Sequence, residues 1–295
     1  MTAIEELINA RFDGLSAQQR RAARFILDHQ DDVALRSMRE LAAEAGLPPV
    51  TFVRLARALG FDDYLALRAL FQDRVRRGEA GRRYTPRARE MQRARDGEEA
   101  PDLVGRVFTA DLDNIQRTYE RNEPAALLDA VQMLERAERV FVLGQRSCFP
   151  AAYLFHYVAR LFRQDTLLMR GNAGTVADDL RGIGTGDVLL AISVEPYTAE
   201  VVRAARYAKS EGARLLGITD TRLSPIARAA DKVLLTACET PSFFHSVTAL
   251  ATLTQSLLAL LVARGGERAV SAIEASERQL DRFGAYWSGD KPDKA

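Results

Sequence analysis

Apolar residues recur every three or four positions through the first sixty residues, give way to short unbroken apolar runs from residue 140, and return to helical spacing near the end of the chain. Over residues 37–61, SMRELAAEAGLPPVTFVRLARALGF, the spacing predicts two short helices joined by a tight turn. On the second helix Phe52, Leu55, Ala56 and Leu59 share a face, and Thr51, Arg54 and Arg57 are placed away from it. The first helix starts at Ser37 with Glu40 three residues on, a capping box, and turns Met38, Leu41 and Ala42 inward. Gly46 supplies the backbone geometry at its end, Pro48 and Pro49 open the next helix, and Gly60 stops it. Ser16 and Gln19 form another capping box upstream, for a helix whose inward positions are Ala22, Phe25 and Ile26. Three such helices enclose a small core.

Beyond residue 101 two more helices are expected, LVGRVFTADLDNIQRTYE and PAALLDAVQMLERA, the second opened by Pro124. Apolar runs then appear at Val140–Leu143, Leu167–Met169, Val188–Ile192, Leu215–Ile218 and Val233–Leu235, with helical stretches between them. Strands this apolar, alternating with helices, imply a parallel sheet covered on both faces and an α/β fold. The most apolar helix, Ser246 to Ala263, carries several Ser, Thr and Gln residues and reads as a buried or interface helix rather than a membrane span.

The spacing of residues 37–61 resembles helix-turn-helix domains, whose second helix lies in the DNA major groove. A helical hairpin with a solvated basic face has the same spacing. The next segment favours DNA, because Arg74, Arg76, Arg77, Arg82, Arg83, Arg87, Arg89, Arg93 and Arg95 are opposed only by Asp73, Glu79 and Glu90. Its Gly78, Gly81, Pro86 and Gly97 also suit a flexible linker, and the two readings are compatible. The expected organisation is a helix-turn-helix head over 1–77, a basic linker over 78–101, an α/β domain over 102–285 and a disordered tail over 286–295.

Composition adds less. With 295 residues, 47% hydrophobic and 27% charged, the chain has the balance of a two-domain globular protein. A net charge of +1 places any nucleic-acid contact on local patches rather than on a global field. Cys148 and Cys238 have no spacing for a metal or a disulfide framework, and reducing cytoplasm is the simplest compartment. His29, His156 and His245 carry no metal-ligand spacing, so neither a metal nor a cofactor is expected.

Ligands of parallel sheets bind beyond the carboxyl ends of strands, which singles out the loops after Leu143, Ile192 and Ile218. The first, GQRSCFPAA, sets Arg146 and Ser147 at the start of a helix, where amides attract anions. Arg146 and Phe149 stand where a dinucleotide fingerprint needs glycines, which argues against a nicotinamide enzyme. The second, SVEPYTAE, contains Ser193, Glu195, Tyr197 and Thr198, and the third reads TDTRLSPIARAAD. Candidate ligand-binding residues are therefore Arg146, Ser147, Ser193, Glu195, Tyr197 and Thr198. Each has a structural alternative: Arg146 paired with a carboxylate, Glu195 capping the next helix, Tyr197 packing over the loop.

The order GDVLLAIS, SVEPYTAE, GARLLGITD resembles the sugar isomerase (SIS) domain, and with AGLPPVTFVRLARALGF at the head the chain resembles the RpiR/MurR family of bacterial transcriptional regulators from about residue 5 to residue 280. The resemblance implies a five-stranded parallel α/β sandwich, flavodoxin-like, that senses a carbohydrate derivative. In that domain a phosphate loop commonly runs Ser-x-Ser-Gly-x-Thr. Here Ser193 and Thr198 remain, while Glu195 and Pro196 replace the second serine and the glycine. A carboxylate repels phosphate and proline removes an amide donor, so the effector is expected to be a sugar or sugar acid, with or without phosphate, held differently from an ordinary phosphosugar. Pro48 stands where the family often has a capping serine.

These readings combine into a metabolite-responsive transcription factor, not an enzyme, that binds double-stranded operator DNA through Thr51, Arg54 and Arg57 as a homodimer or tetramer. The helix from Ser246 to Ala263 and the segment from Leu103 to Tyr119 are the expected association surfaces, unless they are buried within one chain. A sugar phosphate isomerase with an added head is the alternative, with Glu195 or His245 as its base. A binding protein without DNA activity is the third class.

Overall fold

The computed structural model describes residues 3–76, 84–94, 100–171 and 174–287. The chain divides into two compact units: Met1–Ala110 with Thr221–Leu223 and Glu239–His245, and Asp111–Asp220 with Ser224–Cys238 and Ser246–Ala295.

The first unit is helical. It contains α1 (Ala3–Arg11), α2 (Ala17–Asp28), α3 (Gln30–Leu35), α4 (Met38–Ala45), α5 (Pro49–Ala58), α6 (Tyr64–Arg76) and α7 (Thr85–Ala94). Both capping boxes form: Ser16 and Gln19 at the start of α2, Ser37 and Glu40 at the start of α4. Gly46 ends α4 in the left-handed region at φ 60°, which lets Leu47 N–H return to the Ala42 carbonyl. Pro48 is the N-cap of α5 and makes no side-chain cap bond, with Pro49 as the first helical residue. Ala22, Ala23, Ile26, Leu41, Ala42, Phe52, Leu55, Ala56, Leu59 and Leu67 form the dry centre of this unit. Three helices were expected there; six, α1 to α6, supply the core, because α1 and α6 add Ile8, Leu67 and Phe71. Met38 is only half-buried.

The arginine-rich stretch lies partly outside the described residues, with Arg77, Arg82, Arg83 and Arg95 among those outside. The proposed tail from residue 288 onward is also outside them.

The division falls within α8 (Ala100–Arg121), after Ala110; the second unit continues through α9 (Pro124–Glu135) into a sheet whose strands are β1 (Val140–Gly144), β2 (Thr166–Leu168), β3 (Val188–Ile192), β4 (Arg214–Thr219) and β5 (Lys232–Leu235). All pairings are parallel, in the order β2-β1-β3-β4-β5. Each expected apolar run is a strand, and β1 and β3 are buried at every position, as strands covered on both faces must be. One face is covered by α9, α10 (Phe149–Ala159) and α14 (Thr248–Phe283). The other is covered by α11 (Val176–Asp179), α12 (Ala199–Ser210) and α13 (Pro225–Ala229).

The edge strand β5 is closed by side chains of α8 and the residue after it. Asn122 accepts the Leu235 N–H at 2.8 Å and donates to its carbonyl at 2.6 Å, and Thr118 Oγ1 accepts the Ala237 N–H at 2.9 Å.

By length and composition alone, α14 is the one helix among the described residues able to cross a membrane. Its Leu250, Leu253, Leu257, Leu258 and Leu261 nevertheless lie in the sheet's core. Gly266, at φ 54° and ψ −151°, breaks the helix into two segments just beyond that apolar half. The helix begins at Thr248; His245, three residues earlier, is buried and stacks on Phe244 at 4.4 Å.

Candidate functional site

In the helical unit α4 and α5 form the pair whose second helix presents the candidate residues. Arg54 and Arg57 are exposed on α5, with no ion-pair partner among the described residues. Other arginines of this unit serve its framework: Arg11 donates to the Ala58 carbonyl at 3.0 Å and Arg68 to the carbonyls of Val33 and Ala34, both at 3.1 Å, where helix C-termini need donors.

Thr51 does not face outward. It is 3% exposed and its hydroxyl donates to Gln18 Oε1 at 3.5 Å. Thr51 and Leu55 are four residues apart, one helical turn, and so share the inward side. Its place on the outer face is taken by Val50, which is 50% exposed and lies one turn before Arg54. Spacing from the arginines, at i, i+4 and i+7, would have identified Val50 in the sequence.

In the α/β unit the sheet order reverses between β1 and β3, the switch point beyond whose carboxyl ends open α/β sheets bind their ligands. Register pairs Gly144 with Ile192 and Ile192 with Ile218, so the loops after β1, β3 and β4 begin at one level on adjacent strands. Gly144 is required by space, since a Cβ there would lie 2.6 Å from the Cys148 carbonyl oxygen and 3.0 Å from Ala152 Cβ. The chain turns through a 3-10 segment, Arg146–Cys148, into α10. Arg146 is the one non-glycine residue with positive φ among the described residues, at 55°, a conformation that costs an L-residue about 1–2 kcal/mol. Its side chain is exposed and has no ion-pair partner among the described residues, so the expected alternative of a carboxylate partner is not realised there. Strain of this kind concentrates at sites where geometry serves a ligand.

Ser193 is buried and its Oγ accepts the Thr198 N–H at 3.3 Å, holding the entry to α12. Glu195 does not cap α12: Thr198 is the N-cap, with no side-chain cap bond. The Glu195–Pro196 peptide bond is cis. Tyr197 donates its hydroxyl to Asp220 Oδ1 at 2.9 Å, and Glu195 N–H donates to Asp220 Oδ2 at 3.2 Å.

Asp220, just beyond β4, thus joins two of the candidate residues. Burial pushes its carboxyl above the ordinary carboxylate range, against the bonds from Tyr197, Glu195 and Thr219 that favour the ionised form. Cys148 is also close, its thiol pushed up first by burial and next lowered by bonding to the Val194 backbone and Ser147, with the Asp220 charge raising it. Neither was a candidate on sequence grounds. An acid directly after β4, one residue past the position level with Ser193, was the available signal. No cluster of His, Cys, Asp or Glu suited to a metal occurs among the described residues.

Residues 2–76 match the model of the helix-turn-helix domain of the rpiR family, and residues 133–263 that of the SIS domain. The chain belongs to the RpiR family of transcriptional regulators. Among family members it is 26% identical over 235 residues to the HTH-type transcriptional regulator HexR of Pseudomonas aeruginosa, covering 78% of this chain and 77% of that one. The sugar isomerase domain of an RpiR transcription factor from Sphaerobacter thermophilus superposes with a TM-score of 0.57 at 27% identity, over 61% of this chain and 99% of that one. The Vibrio vulnificus NanR protein, solved with ManNAc-6P, shares the fold over 96% of this chain and 99% of its own, with a TM-score of 0.56 at 18% identity.

Proposed function

We propose that this protein is a cytoplasmic, non-enzymatic regulator that binds operator DNA through α5 and senses a carbohydrate derivative at the loops after β1, β3 and β4. The observation that carries the reading is the outer face of α5, where Val50, Arg54 and Arg57 are exposed and the two guanidinium groups have no ion-pair partner among the described residues. An arginine in a major groove donates two bonds to the N7 and O6 of a guanine, and an apolar neighbour suits a thymine methyl. Thr51, buried beneath this face, positions α5 rather than touching a base.

At the loop cluster Arg146, Ser147, Ser193, Glu195, Tyr197 and Thr198 remain the proposed effector residues. Their support is the reversal of strand order between β1 and β3, the strained Arg146 and the shared bonding of Glu195 and Tyr197. The effector is a sugar or sugar acid, phosphorylated or not. That HexR is a transcriptional regulator and that NanR was solved with ManNAc-6P agree with this reading.

A single head covers one half-site, so the active form is a homodimer or a tetramer. The surface that favours association is α8, where Val104, Phe108, Leu112 and Tyr119 are all more than 60% exposed along one stripe. The deciding experiment is fluorescence anisotropy on genomic fragments flanking the gene, with and without sugars, sugar acids and their phosphates. Salt-sensitive binding to one fragment, altered by one compound, is expected. Failure to bind any fragment rejects the reading.

A further inference from the structure

The two oxygens of Asp220 accept three donors at the head of α12. Oδ1 takes the Tyr197 hydroxyl at 2.9 Å and the Thr219 hydroxyl at 3.1 Å, and Oδ2 takes the Glu195 amide at 3.2 Å. Pro196 has no amide proton, and the Thr198 amide is held by Ser193 Oγ at 3.3 Å. Three donors at this helix entry, the Tyr197 hydroxyl and the amides of Glu195 and Thr198, are therefore already bound to oxygens of the protein itself. Asp220 is 8% exposed, and no Lys or Arg side chain among the described residues forms an ion pair with it. The nearest guanidinium contact, from Arg121, goes to its backbone carbonyl at 3.1 Å.

Bracing through Oδ1 alone does not call for a carboxylate. An asparagine would keep the two bonds to Oδ1 without the cost of burying a charge that has no cationic partner among the described residues, but would turn its NH2 toward the Glu195 amide. What the carboxylate adds is a second accepting oxygen and a negative charge beside Glu195. A phosphate or carboxylate group approaching α12 would meet both acids and, to use the Glu195 amide or the Tyr197 hydroxyl, would have to displace Asp220. On the neighbouring β1 loop the situation is reversed, since Arg146 is exposed with no acidic partner among the described residues.

We propose that Asp220 is a specificity-determining residue that excludes anionic groups from the β3 end of the loop cluster. The ligand is thereby oriented with hydroxyl or amine donors toward Glu195 and Ser193 and with any acidic group on Arg146. This inference deepens the effector reading above and rests on it only for the placing of the ligand. The exclusion itself is a property of one helix entry and is measurable without knowing the effector or the operator.

The test uses the full chain and inorganic phosphate as probe, read by hydrogen–deuterium exchange of peptides covering residues 193–203. In the wild-type protein, millimolar phosphate is expected to leave exchange over these residues unchanged. In Asp220→Asn, which removes the charge and one acceptor, phosphate is expected to slow their exchange, with an apparent phosphate affinity about tenfold above wild type, the scale of one charge-assisted hydrogen bond. Protection of these residues in the wild type overturns the proposal, and so does an Asp220→Asn variant of wild-type Tm that shows none. If Asp220→Asn does not fold, Asp220→Ser is read in its place against the same two outcomes, and the wild-type result stands by itself. Loss of operator binding in separate assays would sink the regulator reading while leaving this one intact.

Discussion

Arg54 and Arg57 extend from a helix whose opposite side is anchored by Phe52 and Leu55, both fully buried. Arg54→Ala and Arg57→Ala should leave thermal stability near wild type and weaken operator binding by about 1–3 kcal/mol for a base-reading arginine. Competition titrations against single-base operator variants would tell a base contact, which relaxes one position, from a phosphate contact, which weakens all sequences alike. Thr51→Val, which keeps the shape but removes the hydroxyl bonded to Gln18, should lower stability by about 1 kcal/mol and leave DNA affinity within about twofold, because the residue is buried.

Titratable residues in the α/β unit act in opposite directions on stability. The folded pKa of Asp220 lies above its unfolded value because of burial, so the folded state binds the proton more tightly and stability falls as pH rises through the carboxyl range from about 4. His156 is lowered by burial, then by Arg160 and Arg170, and its Nδ1 is buried with no hydrogen-bond partner among the described residues; the unfolded state binds that proton more tightly and stability falls as pH drops below about 6.5. Urea melts from pH 4.5 to 8 should show Asp220→Asn losing the first slope and His156→Gln losing the second. Unchanged slopes would mean that burial of these groups does not persist in solution.

Among the elements, α5 depends on its neighbours more than on its own ends. Pro48 gives it no side-chain cap, and its C-terminal Ala58 carbonyl is held by Arg11, forty-seven residues away in sequence. Phe52, with no exposed surface and edge-on contacts to Phe25 and Tyr64, should cost about 3–5 kcal/mol when replaced by alanine, seen as an earlier denaturant midpoint for the head. The beginning and end of α4 were legible because capping is local: Ser37, Glu40 and Gly46 act within a few residues of themselves. The five strands were legible for the same reason, since each is an uninterrupted apolar run between polar turns. Burial of Thr51 was misjudged because helical spacing leaves a threonine at the boundary of an apolar stripe, and Gln18 on α2 decides which side it takes. The role of Asn122 at β5 was likewise not legible, because its partner Leu235 is 113 residues further along.

For the whole molecule, a helix-turn-helix head and an SIS-type domain on one chain make function a matter of coupling. The effector must bind one arrangement of the heads better than the other, and operator DNA must change effector affinity by the same factor. A reciprocal change of about 5–150-fold is expected, measured by effector titration with and without operator. Association through the α8 stripe predicts that Phe108→Asp with Leu112→Asp shifts the species in light scattering to a monomer and weakens DNA binding much more than a single lost contact would. An unchanged mass would assign association to another surface.

By itself the sequence determined the α/β class, the five strands and their order along the chain, the capped helices α2 and α4, and the resemblance to the family. The strands and caps follow from periodicity and capping, both local in the chain. Which side chains meet was decided only by the tertiary structure. Packing of α2 against α5 turns Thr51 inward and leaves Val50 beside the arginines, and the adjacency of β3 and β4 brings Asp220 to Glu195 and Tyr197 across 25 and 23 residues of sequence. Hydrogen bonds between strand-end loops depend on strand order and register, and no local pattern encodes either.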